Sequence, residues 1–426
     1  MQISMTNSSD THAKLHVVAA QDELIVLKNT LLGRFQGQVK VPGFRPGHAP
    51  LAMVEKSLDQ AMLQQEFLSE AINQMYVQAA TEKRLRTVGN PQVDVTKFVP
   101  FSTLEFTAEV DVIGEVKLPD YTKIKVSKTA VTVTAADVTE VIRSLQARAA
   151  ERKDVNRAAQ KGDEAYIDFK GVDAKGEPVN GAEAKDYALQ LGSNSFIPGF
   201  EDNVVGMKAN EEKTFTLPFP KDYGVKALAG KKVTFTVSLT KVQELIEPKL
   251  DDDFASKVGP FKTLADLKAD IKTELTAQKE RETQAKFESD LVEAIASKTK
   301  VALPESVVDG QLDRLEDEEK RNLLYRGQTW DEHLAEEGVT ATEHRTQKRP
   351  QAEMQVRASL ALAEIAEREQ IDVQPEELEA KMQQLKSQYN DKQMQTELAK
   401  PDARRDVVSR MLTEKTIDRL VELVGK

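Results

Sequence analysis

The sequence contains no cysteine, which removes disulfides, thiolate nucleophiles and cysteine-ligated metals together. Histidines number five and are scattered; His12 and His16 lie four apart beside a strand-like run with no cysteine to support them, so a zinc site is not expected. Aromatic residues make up only 5% of the chain, with a single tryptophan, and charged residues 30%, a balance that suits long solvated helices better than a compact all-β enzyme. No run approaches the roughly 18 apolar residues of a membrane span. The stretch from Met1 to Leu15 lacks the basic patch and apolar core of a signal peptide, so a cytoplasmic protein with no membrane partner is expected. No Walker or dinucleotide-binding glycine pattern occurs, which argues against an ATP-driven cycle and against a nucleotide cofactor. Repeats of 20–50 residues are absent too, excluding a solenoid.

What is present is long and modular. A length of 426 residues exceeds what one core serves, and 40% hydrophobic content fills ordinary cores, so about three domains of α+β character are expected. Net charge is -11, yet from Leu24 to Val54 there is no Asp or Glu while Lys28, Arg34, Lys40 and Arg45 are cationic. A local basic face on an acidic protein points to a polyanionic docking partner. Inside it, Gly43-Phe44-Arg45-Pro46-Gly47-His48-Ala49-Pro50 holds two glycines and two prolines within eight positions, which no helix continues through. Leu24, Leu27, Leu31 and Phe35 precede it at helical spacing and another helical pattern begins at Leu51, so the loop is the tip of a helix–loop–helix that holds Phe44 and Arg45 in water.

Along the chain, Lys14–Ala20 reads as a strand and a helix runs from Leu51 through Arg86. Residues 93–96 and 104–113 alternate in period two, with Leu104, Phe106, Ala108, Val110 and Val112 on one side. Ile124–Val133 is again strand-like, and Asp137–Arg152 reads as a charged helical arm. Short strands at 165–171, 186–191, 213–219 and 232–242 surround Phe196-Ile197-Pro198-Gly199-Phe200, which leads into a short helix. Beyond Pro248 the pattern is helical: Thr263 with Asp266 caps a run of Leu264, Leu267, Ile271 and Leu275, and further helices follow Pro304, Pro375 and Pro401, with a long one over 354–369. Asp251-Asp252-Asp253 reads as a solvated inter-domain turn.

The loop at 43–50 resembles the Gly-Phe-Arg-x-Gly-x-x-Pro signature of the trigger factor family, bacterial chaperones that dock beside the ribosomal exit tunnel; Pro46 and His48 stand where lysine is common in that family. The resemblance implies that Lys40, Gly43, Phe44, Arg45, Pro46 and Gly47 touch the large ribosomal subunit, protein and rRNA. It further implies that nascent and unfolded polypeptides are partners, and leaves open whether free molecules form a homodimer. The strand order over 155–245 resembles the FKBP-type peptidyl-prolyl isomerase, an antiparallel sheet wrapped on one short helix. On that likeness the pocket is formed by Phe169, Val179, Tyr187, Phe196, Ile197, Phe200, Tyr223 and Phe235, with the Ile197 N–H and the Tyr223 hydroxyl offered to a substrate carbonyl. Asn180 stands where FKBPs carry an acid and Phe200 where they carry tryptophan, which implies a modest enzyme. Asp251-Asp252-Asp253-Phe254-Ala255 resembles the opening of the trigger factor C-terminal domain.

Such chemistry needs no cofactor. The barrier to rotating a peptide bond, about 18–20 kcal/mol, is amide resonance, and an apolar cavity that denies the carbonyl its hydrogen bonds favours the less polar twisted amide. By itself the aromatic pattern fits an ordinary β core equally well, and the later helices fit a closed bundle acting as a spacer. With the resemblance, the division becomes a docking domain at 1–115, a linking arm at 116–154 packed with the C-terminal domain, the isomerase domain at 155–245 and an all-α chaperone domain with extended arms at 246–426. The rivals are a free prolyl isomerase with accessory domains and no ribosome docking, and a nucleic-acid regulator, which the overall acidity disfavours.

Overall fold

The computed structural model describes residues 1–45, 47–220, 223, 228–388 and 391–424, and at 7, 8, 180 and 392 the backbone alone. The chain forms two compact units: Met1–Val126 with Glu288–Arg326 and Ala341–Lys426, and Ser127–Phe287 with Gly327–Thr340.

In the first unit, strands β1 (Gln2–Ser9), β2 (His12–Val18), β3 (Thr87–Val99) and β4 (Thr103–Val112) pair antiparallel in the order β1-β2-β4-β3. The alternation along β4 has its expected consequence: Leu104, Phe106, Ala108, Val110 and Val112 are all buried. Against this face pack helices α1 (Gln21–Gln36), through Leu24, Leu27 and Leu31, and α3 (Gln60–Glu82), through Leu63, Phe67, Ala71 and Met75. The helix expected from Leu51 through Arg86 is two helices. A short α2 (Leu51–Ser57) stops where Leu58 turns extended, and α3 restarts on the Asp59 carboxylate, which accepts the Met62 N–H at 2.8 Å. Strand β1 was not foreseen, because Ile3 and Met5 are its only apolar residues; it exists by pairing with β2.

The second unit opens with α4 (Ala135–Arg148), capped reciprocally by Thr134 and Asp137. No strand forms over 124–133, since that stretch has no neighbouring strand to pair with; Ile124 is instead buried among helices of the first unit. Nor does the helical arm reach Arg152: β5 (Glu151–Asp154) leaves it to pair with β9. Strands β6 (Glu164–Val172), β7 (Pro178–Gln190), β8 (Glu211–Pro218) and β9 (Lys232–Ile246) complete a five-stranded antiparallel sheet in which β9 pairs with β5, β6 and β8. Its inner face, including Ile167, Leu189, Val237 and Leu239, covers the short α5 (Phe200–Val204).

Beside it, α4 packs through Val138 and Ile142 on Phe254 of α6 (Asp252–Val258) and on Leu267 and Ile271 of α7 (Leu264–Lys298). The three aspartates expected to form a solvated turn act partly as caps. Asp251 accepts the Phe254 N–H at 3.0 Å and Asp252 the Leu264 N–H at 2.8 Å, while Thr263 and Asp266 cap α7 as expected.

Beyond α7 come α8 (Glu305–Tyr325), α9 (Trp330–Glu337), α10 (Ala341–Arg368), α11 (Pro375–Gln388), α12 (Lys392–Leu398) and α13 (Pro401–Val424). Helix α10 starts well before the expected 354 and runs through Pro350. The bond lost to that proline is offset by Ala352 packing on Val308 and Leu312, and by Arg345 and Arg349 pairing with Asp313 and Glu305 at 2.7 and 3.1 Å. Among the described residues no helix is long and apolar enough to cross a membrane.

Closure of the second unit's sheet depends on Gly171 in β6. A Cβ there would lie 2.8 Å from the Ala182 Cβ and 3.1 Å from the Phe235 ring, in a strand bonded on both sides. Gly171→Ala is therefore expected to destabilise this unit by about 1–3 kcal/mol, read as an earlier urea transition of Tyr166 and Tyr187 fluorescence. An unchanged midpoint would show that the sheet yields at this point.

Candidate active site and docking loop

A cavity of about 570 Å³ opens on the concave side of the second unit's sheet. Phe169 on β6 and Phe235 on β9 form its base, because even spacing along both strands turns them inward with Ile167 and Val237. Tyr187 from β7 stands at the rim with its ring centroid 6.2 Å from that of Phe169, and Phe196 lies 5.4 Å from both, all edge-on. Ile197 and Tyr223 complete the opposite walls. Six of the eight expected pocket residues thus converge on one cavity.

Two do not line it. Phe200 is fully buried beneath the base, its ring 4.5 Å from Phe196 and 5.3 Å from Phe235, so it supports the lining without facing the opening. Val179 packs at the margin of the core. Lining residues that sequence reasoning missed are Phe219, 4.7 Å from Tyr223, and Leu228, with Ala182 and Ala184 leaving space between the rings. Phe219 follows Leu217 at period two on the strand expected over 213–219, and that spacing could have marked it. The side chain of Asn180 lies outside the described residues.

Polar groups at the cavity are few. The Ile197 carbonyl accepts the Phe200 N–H at 3.0 Å, while the Ile197 N–H donates to no other described residue. Glu183 is the one carboxylate in the described lining and there is no histidine, so the walls offer a metal no ligand set.

The wall loop is held from below by a buried acid that sequence reasoning passed over. The Glu201 carboxylate accepts N–H groups from Gly192 at 2.7 Å, Asn194 at 3.2 Å, Ser195 at 2.9 Å and Phe196 at 3.4 Å. Burial pushes its carboxyl upward, but the backbone N–H groups of Gly192, Asn194, Phe196 and Ser195 together outweigh that and hold it below the usual glutamate range.

The loop between α1 and α2 is a compact knot. Gly43 and Gly47 take positive φ of 86° and 82°, open only to glycine at low cost. The Gly47 N–H bonds to the Gln36 carbonyl at 3.0 Å, the Gln36 amide to the Ala49 carbonyl at 2.6 Å, and Val41 and Ala49 are buried beneath. With its base fixed, the loop holds Phe44 at 43% exposure and leaves Lys40, Arg45 and His48 in water; Pro46 lies outside the described residues. The expected basic face is only half available. Lys28 pairs with Glu55 at 2.7 Å and Arg34 with Glu70 at 2.9 Å, whereas Lys40 and Arg45 have no ion pair among the described residues.

The model of the FKBP-type peptidyl-prolyl cis-trans isomerase family matches residues 155–240, and the curled antiparallel sheet over one short helix, with an aromatic cavity that has no cysteine or histidine in its described lining, has the form of such a domain. Models of the bacterial trigger factor protein and of its C-terminus match residues 1–145 and 263–422. The trigger factor of Carboxydothermus hydrogenoformans is 36% identical over 388 residues, covering 90% of this chain and 90% of that protein. That of Caldicellulosiruptor bescii is 36% identical over 353 residues, 82% and 80% of the two, and that of Geobacillus thermodenitrificans 36% over 354 residues, 83% and 82%. The chain belongs to the trigger factor family: it is a ribosome-associated chaperone with a prolyl isomerase domain.

Glu201→Gln puts an NH₂ where only an acceptor fits, and is expected to cost the isomerase unit about 1–3 kcal/mol at pH 7. A carboxyl with a lowered pKa stabilises the fold above its unfolded value and loses that contribution as pH falls through its folded value. Between pH 7 and acid below the ordinary glutamate value of 4.5, the parent should therefore lose stability more steeply than the variant. Parallel curves from urea unfolding at each pH would remove Glu201 from this role.

Proposed function

We propose that the aromatic cavity is the prolyl isomerase active site and that the knot at 43–47, with Lys40, is the ribosome-docking element. The observation that carries the first assignment is the convergence of Phe169, Tyr187, Phe196, Ile197, Tyr223 and Phe235 around one space with an unspent N–H at Ile197. A proline ring enters against Phe169 and Phe235, with Phe200 bracing them from behind and Val179 closing the margin. Desolvation removes the water that stabilises the planar amide, and the Ile197 N–H and Tyr223 hydroxyl hold the substrate through a neighbouring carbonyl, not the one of the rotating amide, while the bond turns. No bond is made or broken.

For docking, the fixed loop base and the exposed Phe44 and Arg45 support a contact in which Phe44 enters an apolar crevice of the large subunit near the exit tunnel while Arg45 and Lys40 meet phosphate of rRNA. In this scheme residues 1–115 dock, 116–154 link, 155–245 isomerise and 246–426 hold unfolded chain without ATP, in the cytoplasm and partly on ribosomes.

Phe44→Ala with Arg45→Ala is expected to abolish co-sedimentation with ribosomes and to leave isomerisation of a short prolyl peptide unchanged. Raised salt should weaken the parent complex as well; binding that survives the double substitution assigns docking elsewhere. In the cavity, Tyr223→Ala and Phe196→Ala should each lower the isomerisation rate about tenfold or more, equivalent to about 1.4 kcal/mol of barrier. Asn180→Asp should leave it unchanged or slightly raised. Full activity in a folded Phe196→Ala protein would move the active site away from this cavity.

A further inference from the structure

The rim of the aromatic cavity depends on a change of phase in β7. Ala182 and Ala184 face the cavity at period two, so residue 186 should follow them inward and Tyr187 should point to solvent. Instead Tyr187 lines the cavity, and Leu189 beyond it is buried. The phase changes because β6 pairs Phe169 with Ala184 and Ile167 with Tyr187, leaving Asp168 across from both Lys185 and Asp186. The extra residue is a β-bulge, and it moves every inward position beyond it by one.

No glycine forms this bulge. Asp186 takes φ of 51°, in the left-handed region, which a residue with a side chain holds only where its surroundings fix it. The Asp168 carboxylate supplies that restraint by accepting the Asp186 N–H at 2.6 Å. Asp168 lies half-buried on the outer face of the sheet, between inward-facing Ile167 and Phe169, so it reaches the bulge without entering the cavity.

The same device recurs on the facing wall. Of the six non-glycine residues with positive φ among the described residues, two immediately precede lining residues: Asp186 before Tyr187, and Asn194, at 56°, before Ser195 and Phe196. Asn194 also gives its N–H to a carboxylate, that of Glu201 at 3.2 Å. Each of the rim rings Tyr187 and Phe196 thus follows a left-handed residue pinned by an acid, and the two rings meet edge-on at 5.4 Å.

We propose that Asp168 is a positioning residue for isomerisation: by holding the bulge at Asp186 it aims the Tyr187 ring at the substrate that the cavity takes. This rests on the cavity's being the active site, and it gives a role to a carboxylate that touches neither substrate nor lining ring. Tyr187 is 41% exposed as it stands. Without the restraint on the bulge the ring swings toward solvent, the rim opens, and the prolyl substrate is held less tightly.

The test measures kcat and KM of the full chain for a short prolyl peptide. Asp168→Ala should lower kcat/KM about fivefold, chiefly through KM, a size typical of coupling between neighbouring residues. Asp168→Asn keeps an oxygen acceptor in place and should stay within about twofold of the parent. Added to Tyr187→Ala, Asp168→Ala should cost nothing further, because the ring it aims is gone, whereas a general loosening of the sheet would add its own loss. Hydrogen exchange of the Asp186 amide should be slow in the parent and in Asp168→Asn and faster in Asp168→Ala. Full activity of Asp168→Ala, equal impairment of Asp168→Asn, additive losses in the double variant, or an Asp186 amide that exchanges no faster in Asp168→Ala would each overturn the proposal. Full activity of Tyr187→Ala overturns it too; if Phe196→Ala then still lowers the rate, the active site stays in the cavity, and full activity of both variants removes it from there. Should Asp168→Ala not fold, Asp168→Glu decides: it keeps the charge but carries the carboxylate one methylene further, and an unchanged kcat/KM sinks the assignment.

Discussion

Ile124 and Leu420, far apart along the chain, lie in one apolar cluster with Leu291, Ile295, Leu362 and Ile365, and the organisation of the protein follows from that return. Burial of such residues from water, at about 25 cal/mol per Å², ties the segment leaving the N-terminal sheet to helices α7, α10 and α13. Tyr121 adds a hydrogen bond to Glu369 at 2.8 Å, which Arg419 shares at 3.1 Å. Because the chain must come back to this cluster, everything from Ser127 to Phe287 is an excursion whose two ends are anchored in the first unit. An insertion of this kind can carry its own core and its own chemistry without altering the fold that holds its ends.

Within the excursion, catalysis asks for shape and dryness instead of reactive groups. Edge-on aromatic contacts among Phe169, Phe196 and Tyr187, with Phe200 packed edge-on beneath Phe169, make a rigid lining at low entropic cost. Rigidity in the loop comes from below, through the hydrogen bonds gathered by Glu201, and closeness of the strands from the missing side chain at Gly171. The polar and the small residues set where the apolar ones stand.

Charge divides the labour elsewhere. Acidic residues outnumber basic ones, 70 to 59, and the net charge of -11 repels polyanions at long range. The tip carries Lys40 and Arg45, neither of them ion-paired among the described residues. A loop whose base is fixed by the Gly47–Gln36 and Gln36–Ala49 hydrogen bonds over buried Val41 holds that pair in water.

Much of this was legible in the sequence, for local reasons. The period-two faces of β4 and β6, the helical spacing of Leu24, Leu27 and Leu31, the Thr263–Asp266 cap and the Gly-Phe-Arg tip depend on residues within a few positions of one another. What the tertiary structure decided depends on partners far along the chain. A strand without a partner is no strand, so 124–133 failed to form one, while uncharged, weakly patterned β1 became one beside β2. Lys28 and Arg34 lost their availability to Glu55 and Glu70, and Phe200 and Val179 fell outside the cavity that Phe219 and Leu228 joined. Periodicity tells which face of an element is apolar; which element comes to cover that face, and which charges it brings, is settled only when distant segments pack, because burial and ion pairing act through space and not along the chain.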